Sequence, residues 1–248
     1  MSGLLAGKNL VITGASRGIG LEMVRAAHRE GARIVAHAGR SAHTAALLAG
    51  EFDGRFTALA ADLSQRPARA QFFAAAAAAL GQVDVLVNNA GAWLDSPVDD
   101  PQAWAEGWAK NLELNLQAPA DLCREAIEHF REHGGGAIIN VTSRSAHRGD
   151  DAEHLAYGAA KGGLQSLTKG IARGYAKEGI LAYAISPGWV ATELSSHLAA
   201  DDPSIMALPM GEMTPASDVA ELAVFLASGR SRHLTGATVD ITGADYVR

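Results

Sequence analysis

Only one cysteine, Cys123, occurs in 248 residues, so no internal disulfide framework can form, and the chain fits a reducing, cytoplasmic compartment. Long apolar runs are missing too. The N-terminal stretch MSGLLAGKNLVITGAS is interrupted by Lys8 and by glycines, too early for a signal peptide or a membrane span. Basic residues are in deficit, with 21 Lys and Arg against 27 Asp and Glu and a formal charge of −6, which argues against a nucleic-acid or anionic-membrane surface. No fixed-period repeat and no linker divides the chain, so one domain spanning 1–248 is expected. The alanine run 74–79 follows Phe72 and Phe73 and precedes Gly81, as in a closely packed helix ended by glycine. Metal chemistry finds little support. His129 and His133 are spaced as in a helical zinc site, but HFREH lacks the Glu after its first His, and the nine histidines do not otherwise cluster. Ser143 lacks the GxSxG surroundings of a hydrolase nucleophile.

What is present is an alternation. Short β-branched or apolar runs at 10–13, 33–37, 57–60, 83–88, 137–141, 181–185 and 238–241 are separated by helical stretches, the first at 18–30 and the last near 217–227. Seven strands in βαβ alternation predict a doubly wound α/β fold, a mainly parallel sheet with helices on both faces. Ligands of such sheets bind beyond the carboxyl ends of the strands. Nearly every polar or glycine-rich cluster falls there: 13–20, 37–41, 61–63, 88–91, 142–145 and 186–190.

Two of these clusters suggest chemistry. In TGASRGIG, Gly14, Gly18 and Gly20 sit between the first strand and first helix, where free first-turn amides can bind an anion and glycine lets the backbone approach phosphate. In YGAAK, Tyr157 and Lys161 lie one helical turn apart on one face, placing an ammonium beside a phenol. A free tyrosine titrates near ~10 and each unit is worth ~1.4 kcal/mol, so an acid working near neutrality needs roughly 4 kcal/mol of help.

Together with Asn88-Asn89-Ala90-Gly91, Ser143, and Pro187-Gly188 followed by Thr192, these segments form an ordered set over residues 8–247. The set resembles the short-chain dehydrogenase/reductase family, in its short single-domain branch of about the 248 residues found here. The resemblance implies strand order 3-2-1-4-5-6-7, a nicotinamide cofactor and hydride transfer between cofactor and a carbonyl or secondary alcohol. It implies Tyr157 as acid/base, Ser143 polarising the substrate oxygen, and Lys161 binding the ribose while lowering the tyrosine pKa. Asn115 matches the asparagine that ties the lysine to solvent, with Asn111 as competitor; Trp108, seven residues before Asn115, favours Asn115. Ser143 stands 14 residues before Tyr157, one more than usual; counting back by the usual spacing reaches Arg144, whereas the strand INVTS selects Ser143, with Ser145 as runner-up.

The cofactor contacts implied are Gly14, Ser16, Arg17, Gly18, Ile19 and Gly20, then Arg40, Asp62 and Leu63, then Asn89, Ala90 and Gly91, and finally Pro187, Gly188, Val190 and Thr192, with Tyr157 and Lys161. No acid lies in 33–41 to hold ribose hydroxyls, while Arg17 and Arg40 suit a 2′-phosphate, so NADP(H) is expected over NAD(H). Asp62 also reads as a helix cap. Residues 189–215, rich in Leu and Met, read as a substrate lid, and Trp93, Ser145, His147, His154 and Trp189 as substrate-pocket residues for a small, moderately hydrophobic ketone or ketoacyl-type substrate. Two departures stand out: Leu181 and Tyr183 replace a usual Arg and Asn, and Gly243-Ala244 replaces a glycine pair. A homotetramer, or a homodimer, built on the helices 104–129 and 157–177 is the expected assembly. The alternatives are a lyase or isomerase on the same fold, and a non-catalytic cofactor-sensing relative.

Overall fold

Seven strands form one sheet in the computed structural model, which describes residues 3–192 and 202–247. They are β1 (Asn9–Ile12), β2 (Arg33–His37), β3 (Phe56–Leu59), β4 (Val85–Asn88), β5 (Gly136–Val141), β6 (Ile180–Pro187) and β7 (Thr238–Ile241). Their order is β3-β2-β1-β4-β5-β6-β7, and every neighbouring pair is parallel. This is the expected doubly wound sheet. β6 runs further than its apolar core suggests, carrying Ser186 and Pro187 into the pairing with β7.

Both faces of the sheet are buried, which explains why the central strands read as continuous apolar runs. On one face Leu10, Ile12, Ile34 and Ile139 pack against Met23 and Val24 of α1 (Gly18–Arg29) and Val219 and Val224 of α9 (Ala216–Ala227). On the other, Val11, Val35, Leu86 and Ile138 pack against α3 (Arg66–Leu80), α5 (Ala118–Glu132) and α7 (Leu155–Tyr175) through Phe72, Phe73, Leu122, Phe130 and Ile171. Each such side chain contributes about 1.5–3 kcal/mol of burial. Cys123 belongs to this second layer, where burial pushes its thiol up to about 12.

The stretch expected as one long helix at 104–129 is a composite. α4 (Pro101–Leu112) passes into a π-turn at Glu113–Gln117 and then into α5. Pro119 supplies a reason: it lacks an N–H and its ring would crowd the carbonyl of residue 115, four positions back. Across the widened turn the Ala118 N–H bonds to Glu113 O, five residues earlier. π-turns are frequent at functional sites, and Asn115 sits inside this one.

Within the proposed lid, residues 193–201, including Leu194 and Leu198, lie outside the described residues. Of the rest, Ile205 in the short helix α8 (Pro203–Met206) is buried, whereas Met206 and Met210 are exposed. α2 (Ala42–Ala49) and the short α6 (Ser145–Arg148) complete the helices named. Among the described residues no helix is long and apolar enough to cross a membrane, and no group of metal-binding side chains forms.

Candidate active site

The carboxyl ends of β1, β4, β5 and β6 open into a cavity of about 420 Å³. Its glycine loop is locked by β4. Thr13 Oγ1 accepts from Asn89 N and Ala90 N, each at 3.0 Å, and Asn89 Nδ2 donates to Thr13 O and Gly14 O at the same distance. This packing leaves no room for side chains: a Cβ on Gly14, whose φ is +64°, would lie 2.7 Å from Ala90 Cα, and one on Gly20 would lie 2.1 Å from Gly14 O. No side chain caps the N-terminus of α1, so its first amides are left for a ligand in the cavity.

The end of β2 contributes in an unforeseen way. His37, buried where a ribose-binding acid could stand, accepts from Gly14 N with Nδ1 (3.2 Å) and donates to Ala61 O with Nε2 (2.9 Å). Burial holds its pKa below the usual histidine value, as a neutral acceptor requires. Arg40 lies beyond it with four-fifths of its side chain exposed, 3.9 Å from Asp62. Asp62 caps locally, accepting from Ser64 N and Ser64 Oγ. Behind this loop, fully buried Arg69 donates to Leu63 O at 2.8 Å and pairs with Glu113 and Asp121, fastening the loop to the π-turn.

At the reacting end, Asn115 Oδ1 accepts from Ala92 N (3.1 Å) and Nδ2 donates to Ala92 O (2.8 Å). Asn111 supports it from behind, accepting from Asn115 Nδ2 at 3.1 Å while donating to Leu94 O and Gly107 O. Of the two asparagines, Asn115 lines the cavity: a Cβ on Gly91 would meet Asn115 Oδ1 at 2.7 Å and Lys161 Nζ at 3.4 Å.

Tyr157 and Lys161 share one face of α7, with Nζ 5.7 Å from the phenol ring centroid. The ammonium does not point at the phenol oxygen in this structure. It turns to Val141 O at 2.9 Å, and burial pushes it down to about 8. Crowding around the Tyr157 hydroxyl pushes the phenol up to about 12, against a lowering hydrogen bond from Ser143 and with Asp150 adding to the rise. Ser143 is therefore the serine in contact with Tyr157. Ser145 is 3.1 Å away from it, oxygen to oxygen, and donates to Asp150 Oδ2 at 2.7 Å. Arg144 turns aside: its buried guanidinium lies 5.3 Å over the Trp189 ring and pairs with Asp245 of the C-terminal tail.

Ser16, Arg17, Gly18 and Ile19, Asn89 to Gly91, Pro187, Gly188, Val190 and Thr192 line the cavity with the residues above, as do Trp93 and Trp189. Arg40, Asp62 and Leu63 lie outside its lining. Neither His147 nor His154 lines the cavity. His147 stacks on Tyr246 and lies 3.6 Å from Asp240, facing the C-terminal tail rather than the cavity. His154 stands behind the wall, stacked on Trp93 at 3.5 Å and held between Asp95 and Asp151 at 3.1 and 2.6 Å. A separate cavity of about 610 Å³, lined by Met210, Asp218, Asp240 and Tyr246 among others, contains none of the motif residues.

The obligate glycines, the open helix N-terminus and the three side chains of the reacting end fit a dinucleotide laid along the strand ends. Comparison with known proteins agrees. A family model described as enoyl-(acyl carrier protein) reductase matches residues 14–243. The chain belongs to the short-chain dehydrogenase/reductase family. It is 36% identical to 3beta-hydroxysteroid dehydrogenase 1 of Eggerthella lenta, over 96% of this chain and 94% of the relative. It is 35% identical to L-rhamnose 1-dehydrogenase (NAD(P)(+)) of Azotobacter vinelandii, over 98% of each. A solved short-chain dehydrogenase/reductase family protein superposes with a TM-score of 0.86 at 30% identity, covering 98% of both chains. This family of oxidoreductases uses nicotinamide cofactors, NAD or NADP.

Proposed function

We propose that this short-chain dehydrogenase/reductase is an NADP(H)-preferring enzyme that interconverts a ketone and a secondary alcohol, a ketoacyl-type ketone among them. The observation that carries the reading is the convergence of Ser143, Tyr157 and Lys161 on the cavity into which the glycine loop opens. When bound there, the nicotinamide supplies hydride to the carbonyl carbon, or takes it from the alcohol carbon. Tyr157 Oη gives a proton to the carbonyl oxygen in reduction and recovers it in oxidation. Ser143 Oγ donates to the same oxygen as negative charge develops there. Lys161, with ammonium protons beyond the one given to Val141 O, holds the ribose and, once near the phenol's oxygen, favours its ionised form. Asn115 holds the Ala92 backbone and so shapes the floor beneath Lys161.

The preference for NADP(H) rests on the lack of an acid in residues 33–41 and on the exposed guanidinium of Arg40, with Arg17 at the glycine loop. Asp in place of Arg40 is expected to lower the NADP-to-NAD affinity ratio by about tenfold, ~1.4 kcal/mol; an unchanged ratio contradicts the assignment. The relatives' names specify a 3beta-hydroxysteroid, a secondary alcohol, and position 1 of L-rhamnose, a hemiacetal carbon; in each the carbon that loses hydride bears a hydroxyl. The whole chain acts as one catalytic domain, with 189–215 as its lid. A homotetramer through α4–α5 and α7, in the reducing cytoplasm that a lone buried thiol suits, completes the reading; light scattering at one chain's mass would refute the assembly. Turnover is tested by mixing the protein with NADPH and a panel of ketones. Consumption of NADPH with any carbonyl supports it, and cofactor binding without turnover in either direction refutes it.

A further inference from the structure

The second serine of the loop, Ser145, has a job that the reacting serine does not cover. It is buried, lines the cavity, and its hydroxyl proton is committed to Asp150 Oδ2 at 2.7 Å. With its proton held there, Ser145 Oγ accepts the Ser143 hydroxyl at 3.1 Å, and that acceptor is released when Ser143 turns its proton to a substrate oxygen. Asp150 also lines the cavity; its Oδ1 accepts from Asp151 N at 3.0 Å, and a carboxylate has capacity for further donors. Arg144 pairs with Asp245 of the tail, and its charge also acts on Asp150. Ser145 and Asp150 are thus an acceptor pair beside the group that holds the reacting oxygen.

We propose that Ser145 and Asp150 form a subsite for a hydroxyl on the carbon next to the reacting carbonyl, making α-hydroxyketones and the corresponding vicinal diols the substrate class. The inference rests on the hydride-transfer reading and deepens it. The 3.1 Å between the two serine oxygens matches the separation of oxygens on adjacent carbons, so one can meet Ser143 while the other donates to Ser145. A hydroxyl satisfies the acceptor. With the Ser143 proton given to the reacting oxygen, a hydrogen atom there leaves Ser145 Oγ unpaired, and a carboxylate there faces Asp150 with like charge. Trp93 and Trp189, edge to face at 6.3 Å, cover the carbon skeleton. Asp150 is a positioning residue in this scheme, fixing the direction of the Ser145 proton, and its charge sets which neighbour group is accepted.

The test compares kcat/KM for α-hydroxyacetophenone against acetophenone, and acetoin against butanone and pyruvate, with NADPH and with NADH. In the unaltered enzyme the hydroxyketone is expected to lead its parent ketone by roughly five- to a hundredfold, the range for leaving a buried acceptor unpaired. Asp150→Asn should collapse that ratio toward one and raise pyruvate relative to acetoin; a purely structural role would move all substrates together. Ser145→Ala should collapse the hydroxyketone ratio as well, which keeps the test decisive if the Asp150 variant does not fold. Turnover with no hydroxyketone preference, or a preference that survives both substitutions, overturns the subsite. Cofactor binding with no turnover of any of these carbonyls instead overturns the hydride-transfer reading beneath it.

Discussion

Lys161 is expected to be a stability liability that function requires. Burial moves its pKa from 10.5 to about 8, and that difference corresponds to roughly 3 kcal/mol spent keeping the side chain charged at neutral pH. Met matches the length of the apolar stem and removes the charge. It also removes the donor to Val141 O, at a cost of about 1–2 kcal/mol. The net gain for Lys161→Met is therefore about 1–2 kcal/mol, or roughly 2–8 °C in Tm for a chain of this size. The pH dependence supplies the sharper signature. A lysine depressed in the folded state contributes stability that is complete above pH 10.5 and lost as pH falls through about 8. The advantage of the Met variant should be largest at pH 8 and below, then shrink and reverse toward pH 10.5. The Cys123 thiol and Tyr157 phenol, both raised to about 12, act in the opposite sense but are common to the two proteins and cancel in the difference. Thermal unfolding without cofactor across this range reads it directly. A Met variant that melts lower at pH 7, with a gap that stays constant to pH 10, would refute the reasoning.

Gly14→Ala should weaken nicotinamide binding at least tenfold and destabilise the fold by about 1–3 kcal/mol, because its Cβ meets Ala90 Cα at 2.7 Å and its φ is +64°; cofactor titration and chemical denaturation check both. His37, depressed below its usual value, contributes stability that is present above pH 6.5 and lost as pH falls below it, when protonation breaks the acceptor bond from Gly14 N. His37→Gln should flatten that part of the stability profile; an unchanged acid limb would contradict the role given to the imidazole.

The sheet was readable because its strands are buried on both faces, so runs such as VLVN and AIINV announce themselves without alternation. The ligand-facing clusters followed from that, since a parallel sheet gathers its carboxyl ends on one edge. Residues whose roles depend on tertiary contacts were harder to read. Arg69 lies in an alanine-rich helix with nothing in its neighbours to single it out, yet it is fully buried between Asp121, Glu113 and the Leu63 carbonyl. Pro119 was the available signal for the π-turn, because a proline inside a helical pattern forces the preceding turn to adjust. The loop of 143–157 shows the same limit. Its extra residue left Ser143 and Ser145 as competitors, and only the chain path through Arg144 to Pro187 O separates the serine beside Tyr157 from the one beside Asp150. His147 and His154 looked alike by position, but one faces the tail and the other braces Trp93.

We propose Tyr157 as the proton donor in a nicotinamide-dependent carbonyl reduction. It is tested most directly by single-turnover oxidation of bound NADPH in the unaltered enzyme and in Tyr157→Phe, with NADPH affinity measured on the same samples. NADPH binding is expected to be retained and the rate to fall by roughly 10²–10⁴-fold, the contribution of a positioned general acid. A Phe variant that binds NADPH and turns over at the unaltered rate would contradict it.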